Sequence, residues 1–336
     1  MDPLEAVRSL GAVQAQDYTA AMWAIGLRTR NSSAKNVEKA LLDRTIVRSP
    51  LLRNTIHIVP SENYRWMLNL FSGRMRKNLT SIVRSNHIEL AQGTIEKGQE
   101  IIRNALQNGN ELTRNELGDI MLEKGIKVKG LALLLLVQYA HIDGLICYGP
   151  RRGSRQSLAL TDEWLPAFRD VGPDEAMDRI TIQYFKGHGP ATLQDYAWWT
   201  GLKISDALNG LERVKAELAR LDIDKTTYWM APHKGKGCRD LPKLWLLPNY
   251  DEYAVGYRDR RAMIRPDFRY QPDYARGSIE LSNVIVVDGE IVGTWKRVFE
   301  NRSLQVKVRT FIELNRYEQD LLAEETERYI SFMNEP

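Results

Sequence analysis

A chain of 336 residues is too long for one small hydrophobic core and predicts about two to four compact units. Hydrophobic residues make up 43% and charged residues 27%, as in ordinary globular proteins, and no apolar run is long enough to predict a membrane span. The net charge of +4 does not by itself indicate a nucleic-acid binder. The chain has two cysteines, Cys147 and Cys238, without a Cys-x-x-Cys pair, and its first residues lack the pattern of a signal peptide. These features argue against a disulfide framework or a structural zinc site and favour a reducing cytoplasm.

The N-terminal segment combines a predicted helix with two closely spaced glutamines. Apolar residues at helical spacing predict a helix that starts near Pro3 and ends between Gly11 and Gln14. Gln14 and Gln16 then lie two positions apart, a spacing that places both side chains on one face of an extended chain. Both amides can then address one small object, such as a water molecule or a base edge. By itself, Gln-x-Gln is more often a pair of solvated polar residues.

Asp17 follows the two glutamines, and its simplest interpretation is an N-cap for a helix over residues 18–23. A second helix is predicted over residues 34–43. The alternation around His57 then predicts a short strand that ends at Pro60, with Thr55 and His57 on one face. On that face the two side chains can meet a phosphate or a sugar, although a half-buried structural histidine is the slightly preferred interpretation of the residues alone. With a helix over residues 61–79, the segment has the outline of a winged helix.

The outline recurs twice. In the second copy, helices over residues 89–106 and 131–141 flank a helix that begins at the capping box Thr113/Glu116, and a Gly- and Arg-rich hairpin over residues 144–160 forms the wing. In the third copy, a helix over residues 174–185 precedes the capping box Thr192/Asp195, a helix over 194–199 and a recognition helix over 204–218, and another wing begins at Tyr228. The copies repeat roughly every 80 residues, which favours tandem domains over a solenoid.

The C-terminal quarter is predicted to be mainly β-structure. Asp288-Gly289 lies between Val- and Ile-rich arms, the strongest hairpin signal in the chain. Another strand over residues 304–314 and a closing helix over 316–333 complete a small sheet or barrel.

Three local basic patches are predicted to contact phosphates. Residues 72–88 and 145–160 contain several basic residues and no acid, and residues 229–238 place two lysines beside His233. For each patch, a solvated loop is an equally good interpretation. The histidines show no metal-ligand spacing, so no metal is predicted. The candidate DNA-binding residues are Arg74, Arg76, Arg151, Arg152, Arg155, Lys234 and Lys236.

Trp198 and Trp199 form a tryptophan pair in a short predicted helix. Such a pair can stack on nucleobases, but in a short helix it is more often part of the core, and the core is the interpretation preferred here.

Six segments in this order resemble the AlkZ/YcaQ family of bacterial DNA glycosylases, and together they span almost the whole chain. They are Asp2-Pro-Leu-Glu-Ala-Val-Arg with Gln14-Ala-Gln16, Leu52-Arg-Asn-Thr-Ile-His57, Gly189-Pro-Ala-Thr-Leu-Gln-Asp-Tyr-Ala-Trp-Trp-Thr-Gly-Leu, Leu247-Pro-Asn-Tyr-Asp-Glu-Tyr, Gly256-Tyr-Arg-Asp-Arg and Val292-Gly-Thr-Trp. Relatives usually have a further helix before the segment that matches Asp2–Glu5. We therefore expect either an abbreviated first winged helix or a misassigned start.

The resemblance implies an α+β fold with three tandem winged helix-turn-helix units and a C-terminal β-barrel, wrapped round duplex DNA. The corresponding domains are residues 1–86, 87–170, 171–242 and 243–336. The family signature is Gln-hydrophobic-Gln in one branch and Gln-hydrophobic-Asp in the other. Gln14 and Gln16 match the first, which implies that they are catalytic, with Thr55, His57 and Asp17 as second-rank candidates.

The implied activity is that of a monofunctional glycosylase, which hydrolyses the N-glycosidic bond of cationic alkylated purines and leaves an abasic site. N7- or N3-alkyl adducts are the expected substrates, and bulky adducts or crosslinks are further possibilities. We expect no cofactor and no metal, double-stranded DNA as the partner, a monomer, and a nucleoid-associated location in the cytoplasm. The alternative is a non-catalytic winged-helix DNA-binding protein, such as a transcriptional regulator.

Overall fold

The computed structural model describes residues 1–232, 244–265, 279–301 and 303–334. Its helices lie close to the predicted ones, and the helix from Ser61 is longer than expected. None of the helices in these ranges is long and apolar enough to cross a bilayer. In chain order the α-helices are α1 (Pro3–Leu10), α2 (Tyr18–Gly26), α3 (Ala34–Leu42), α4 (Ser61–Ser85), α5 (Gln92–Leu106), α6 (Arg114–Glu123), α7 (Gly130–Ile142), α8 (Thr161–Trp164), α9 (Pro173–His188), α10 (Leu193–Thr200), α11 (Ile204–Val214), α12 (Glu252–Val255) and α13 (Arg316–Asn334).

The strands are short in the N-terminal half and longer near the C-terminus. They are β1 (Val13–Gln14), β2 (Ile46–Pro50), β3 (Ile56–Pro60), β4 (Leu112–Thr113), β5 (Ile146–Arg152), β6 (Arg155–Leu160), β7 (Ala219–Ile223), β8 (Thr226–Met230), β9 (Leu244–Leu247), β10 (Val284–Val287), β11 (Glu290–Glu300) and β12 (Ser303–Thr310).

The chain forms two compact units, one made of Met1–Glu38 with Thr181–Pro336 and the other of Lys39–Ile180. We call them the terminal unit and the central unit. The four predicted domains, 1–86, 87–170, 171–242 and 243–336, stay predictions.

The central unit contains antiparallel strands in the order β3-β2-β5-β6-β4. Two glycines let its helices approach α7 closely. A Cβ at Gly98 would lie 2.6 Å from Leu136 Cδ1, and a Cβ at Gly118 would lie 2.7 Å from Leu133 Cδ2. Helices α5 and α6 therefore pack directly on the apolar face of α7. The hairpin β5–β6 lies where the sequence predicted a wing, over residues 144–160, with Gly153 at its tip, and we call this hairpin the wing.

The terminal unit contains a four-stranded antiparallel sheet in the order β12-β11-β10-β9. Trp23 of α2 is buried against Tyr329 and Phe332 of α13, with ring centroids 5.1 and 5.2 Å apart, and its Nε1 donates to the carbonyl of Leu246 at 2.7 Å. Trp295 of β11 also packs on Tyr329, with ring centroids 4.9 Å apart. The N-terminal segment is thus fixed on the C-terminal sheet and its closing helix.

The hairpin that was predicted to form a third wing begins earlier than expected. The expectation placed its start at Tyr228, whereas the structure has the hairpin β7–β8, which starts at Ala219. The segment Ala219-Arg-Leu-Asp-Ile alternates apolar and polar residues, which is the pattern of a strand, and the prediction overlooked it. The four-stranded C-terminal sheet agrees with the mixed α and β class, and the closed barrel and the three tandem winged helices stay predictions.

Candidate active site

The Gln14–Asp17 segment begins where α1 ends. Gly11 terminates the helix with a φ of +82°, and a Cβ at this position would lie 2.5 Å from Gln183 Cγ, so both the backbone conformation and the space favour glycine. The amide of Gln183 donates to the last carbonyls of α1, those of Arg8 and Ser9, at 2.6 and 3.1 Å. The end of α1 is therefore capped by α9, and the following residues leave in an extended conformation.

Burial alternates along the extended residues. Val13 and Ala15 are fully buried, Gln14 is half-buried and Gln16 is exposed. This is the alternation of an extended chain with one face towards the core. It agrees with the predicted placement of both amides on one accessible face.

Glu252 is the main anchor of this segment. The side chain is 1% exposed. Its Oε1 accepts a 2.8 Å hydrogen bond from the backbone N–H of Gln14, and its Oε2 accepts one from Trp199 Nε1 at 2.9 Å. His188 Nε2 lies 3.3 Å from the same Oε2, within hydrogen-bond distance. Three elements, β1, α9 and α10, thus meet on one carboxylate.

The neighbouring Asp251 anchors α2. Arg28 donates to both of its carboxylate oxygens at 2.9 and 2.7 Å and also to the carbonyl of Ala24 at 2.8 Å. Burial lowers the pKa of the Arg28 guanidinium, but the carboxylate of Asp251 outweighs burial and the net pKa is raised above its ordinary value. The guanidinium of Arg28 therefore keeps its positive charge.

Asp17 caps α2, as its position after the glutamines predicts. Its Oδ1 accepts from the backbone N–H of Ala20 at 3.1 Å, and Asn249 Nδ2 lies 3.5 Å from its Oδ2. A small pocket of about 30 Å³, the size of one water molecule, lies beside this carboxylate. Its polar lining includes Asp17, Asn249 and Arg297.

The segment 247–253 was noted in the sequence only for its resemblance to the family, and its structural role was missed. Asn249 lies beside Asp17, and Asp251 pairs with Arg28. Glu252 accepts a hydrogen bond from the backbone of Gln14. Two adjacent acids a few residues after an apolar strand were the available signal, because buried carboxylates require partners elsewhere in the chain.

Thr55 and His57 belong to the central unit. The Thr55 hydroxyl donates to the carbonyl of Leu52 at 3.0 Å. The His57 side chain is fully buried, with Nδ1 2.9 Å from the carbonyl of Thr55. These contacts suit a structural histidine, and the suggested contact of the two residues with a phosphate or sugar stays a prediction.

The described candidates for DNA binding lie in the central unit. Arg74 is exposed on α4, whereas Arg76 pairs with Asp143 and lies over the Tyr139 ring. Arg151, Arg152 and Arg155 are exposed at the wing tip. Lys234 and Lys236 lie outside the described residues.

Two of the wing arginines have neighbours within the protein. Arg151 Nη2 donates to the carbonyl of Ser154 at 3.1 Å. Arg152 contacts the carbonyl of Glu111 and the carboxylate of Glu116. These exposed contacts orient the side chains without burying their charges.

The two adjacent tryptophans have different environments. Trp199 is fully buried, in agreement with the preferred interpretation, and donates to Glu252. Trp198 is 42% exposed, with the Arg260 guanidinium 5.4 Å from its ring centroid, so the core interpretation is wrong for this residue.

The hairpin β11–β12 has an exposed aromatic residue near its tip, which the sequence analysis did not identify. Phe299 is 70% exposed. Both strands carry exposed basic residues, including Lys296 and Arg297 on one and Lys307 and Arg309 on the other. Among the residues that the structure describes, no group of three His, Cys, Asp or Glu side chains has the arrangement of a metal site.

Comparison with known proteins agrees with the resemblance seen in the sequence. A family model described as "DNA glycosylase AlkZ-like" matches residues 7–332. The "Interstrand DNA cross-link repair glycosylase" of Streptomyces sahachiroi is 24% identical over 314 residues, which cover 88% of this chain and 82% of the relative. The solved structure of Streptomyces sahachiroi DNA glycosylase AlkZ superposes with a TM-score of 0.73 at 20% identity, covering 99% of this chain and 91% of that one. The family match over nearly the whole chain identifies an enzyme that acts on DNA: this protein belongs to the AlkZ-like family of DNA glycosylases.

Proposed function

We propose that this DNA glycosylase is monofunctional and hydrolyses the N-glycosidic bond of cationic purines alkylated at N7 or N3. The observation that carries the proposal is the Gln14–Asp17 segment, whose backbone at Gln14 is held by the buried carboxylate of Glu252 while its glutamines lie on the accessible face. Gln14 and Gln16 together orient one water molecule towards C1′ of the extruded nucleotide.

The residue types favour a substrate that departs easily. An amide side chain has no usable pKa, so it orients a water molecule but does not remove its proton as an ordinary general base would. This is sufficient where the leaving base is already cationic, because the bond to the sugar is then weakened before the enzyme acts. The protein must extrude the nucleotide, hold the water and stabilise the charge that develops on the sugar. The proposed chemistry uses no metal and no cofactor.

Asp17 is the alternative holder of the water. It lies next to Gln16 and beside a pocket of about 30 Å³. Its Oδ1, however, is engaged with the first turn of α2. We therefore assign Asp17 to helix capping and the water to the two glutamines.

The proposed DNA contacts lie on two features. The wing carries Arg151, Arg152 and Arg155, whose exposed charges suit phosphate oxygens. The exposed Phe299 lies near the tip of the hairpin β11–β12, whose strands carry exposed basic residues two or more positions away. This arrangement suits insertion of an apolar side chain into DNA while the basic residues contact the backbone. We propose that both features bind the duplex and that the protein acts as a monomer.

The related Streptomyces sahachiroi protein is named for interstrand DNA crosslink repair. We extend this to the present chain as part of the proposal, so that bulky N7 adducts and crosslinks are candidate substrates beside simple methyl adducts. The family match favours the enzyme over the non-catalytic regulator considered from the sequence.

The test is product analysis on three duplexes of one sequence that contain N7-methylguanine, uracil or a crosslink between opposite N7 positions. We expect release of N7-methylguanine and formation of an abasic site, with the uracil duplex intact. Release of uracil at a similar rate, or no release of N7-methylguanine, would contradict the proposal. Cleavage of the crosslinked duplex would extend the substrate range to crosslinks, and an intact crosslink would restrict it to simple adducts.

A further inference from the structure

The carboxylate of Glu252 is buried and accepts hydrogen bonds from groups on three separate elements. Such a group is costly to desolvate, and an apolar residue would fill the same space without that cost. What the carboxylate supplies is an acceptor for the backbone N–H of Gln14, at 2.8 Å, within a segment whose neighbouring residues are buried.

The carboxylate itself is held in one orientation. Its Oε2 receives the indole N–H of Trp199 at 2.9 Å and faces His188 Nε2 at 3.3 Å. The His188 ring stacks on Tyr184, with centroids 4.8 Å apart and an angle of 11° between the planes. A Cβ at Gly256 would lie 2.5 Å from His188 Cδ2, so the ring is also packed directly against the backbone after α12. Because these rings fix Oε2, Oε1 is presented to Gln14.

We propose that Glu252 is a positioning residue of the glycosylase: it fixes the backbone at Gln14 and thereby aims the amides of Gln14 and Gln16 at the attacking water. This inference rests on the proposed function of the two glutamines. Glu252 has no assigned contact with the substrate, and it acts through the Gln14 backbone.

Glu252→Gln is the informative substitution because it keeps the size of the side chain and removes one acceptor. An amide has one oxygen, and that oxygen satisfies more donors when it faces Trp199 and His188. The NH₂ group then faces the N–H of Gln14, and two donors oppose each other. The bond that positions Gln14 is lost, whereas the core around the rings is largely retained.

The matched control is Tyr196→Phe. It also removes a buried polar contact of the terminal unit, the 2.8 Å bond between the hydroxyls of Tyr196 and Thr181. The substitution removes only the hydroxyl, which bonds to Thr181, and keeps the ring that packs on Tyr184 and Phe185. A general loss of stability should therefore appear in both variants, and a loss of positioning should appear only in Glu252→Gln.

Two measurements on the full chain test the inference. In the first, single-turnover excision of N7-methylguanine is followed at saturating enzyme, with DNA affinity measured separately. Glu252→Gln should slow excision by about 10–100-fold, the range seen when residues that orient the ligands of metal sites are removed. Its DNA affinity should be retained, and Tyr196→Phe should excise at the parental rate. The inference would be overturned if Glu252→Gln excised at the parental rate, or if the excision rate fell equally in both variants.

The second measurement, amide hydrogen exchange over residues 11–17, does not depend on activity. Glu252→Gln should lose protection in this segment, and Tyr196→Phe should retain it. Unchanged exchange in Glu252→Gln would overturn the inference even if excision falls. If the parental protein does not excise N7-methylguanine, or if Gln14→Ala excises at the full rate, the proposed function or its site fails. The exchange measurement then still decides whether Glu252 fixes the segment.

Discussion

Arg28 and Asp251 are 223 positions apart in the sequence and form a two-pronged ion pair, with Nη1 and Nη2 of the guanidinium donating to both carboxylate oxygens. Their side chains are only 23% and 2% exposed. Together with the bond between Gln14 and Glu252, the pair ties the N-terminal segment to α12.

Arg28→Ala should destabilise the protein strongly. The substitution leaves the Asp251 carboxylate buried with its strongest partner removed, and breaking a buried pair in this way typically costs about 3–5 kcal/mol. The free energy of unfolding in urea measures the effect. Arg220→Ala is the control, because Arg220 and its partner Asp222 are both more than half exposed, and it should leave the unfolding midpoint nearly unchanged. A similar small effect for Arg28→Ala would contradict the anchoring role.

Stability should fall in acid because of His141. Burial lowers the pKa of this imidazole to about 3. In the unfolded chain the ring titrates near its ordinary pKa of about 6.5. Below that pH the unfolded state therefore binds a proton that the native state does not. The free energy of unfolding should decrease from about pH 6.5 towards pH 3, by at most about 1.4 kcal/mol per pH unit from this group.

His141→Asn provides the check. It retains a donor near the position of Nδ1, which lies 3.0 Å from the carbonyl of Ile146, and it does not titrate. Urea unfolding is measured between about pH 4.5 and about pH 6.5, just below the ordinary pKa of histidine. The slope of the unfolding free energy against pH should be smaller in the variant, by the equivalent of about one proton. Equal slopes in both proteins would show that His141 is protonated in the native state.

The wing arginines should contribute to affinity without sequence preference. Replacing both Arg151 and Arg152 by Ala should weaken binding to all duplexes alike, because phosphate contacts position a protein and do not specify sequence. Each lost phosphate contact should reduce the slope of log affinity against log salt by about 0.9. Arg169→Ala, at an exposed arginine paired with Glu175, serves as the control. An unchanged slope in the double variant would show that the two arginines face solvent and do not contact phosphates. A loss of affinity that depends on DNA sequence would indicate base contacts instead.

The product should be an intact abasic site. The proposed reaction uses water as the nucleophile and no lysine or N-terminal amine, so no Schiff base forms. The strand should break only after heat or alkali, and borohydride should trap no protein–DNA adduct. A trapped adduct would show that the enzyme is bifunctional.

Local signals predicted the structure well where the partners are close in the sequence. The capping boxes Thr113/Glu116 and Thr192/Asp195 are present with both reciprocal bonds, and Asp288-Gly289 joins two antiparallel strands as expected. Each depends on residues within one turn or hairpin. The strand Ile46–Pro50 was not predicted because Ile-Val-Arg-Ser-Pro neither alternates nor forms a continuous apolar run, although all five residues are buried.

Only part of the candidate site was predicted from the sequence. Gln14, Gln16 and the helix cap Asp17 are adjacent in sequence and were identified together. Glu252, which holds Gln14, lies 238 positions away. A single sequence carries no signal that joins two such positions, because the pairing arises only when the terminal unit folds.

The most direct test of the account is single-turnover release of N7-methylguanine by Gln14→Ala, Gln16→Ala, the double variant, Gln16→Asp and Asp17→Asn, with DNA affinity measured beside each. Each alanine variant should slow release and should bind DNA as the parent does. Loss of one oriented hydrogen bond typically lowers the rate by about 10²–10³, and the activated leaving group should bring the loss to or below the lower end of that range. The double variant should lose less than the product of the single losses, since both residues act on one water. Gln16→Asp should remain active. Full rates in both alanine variants together with loss of activity in Asp17→Asn would assign the water to Asp17 and contradict the account.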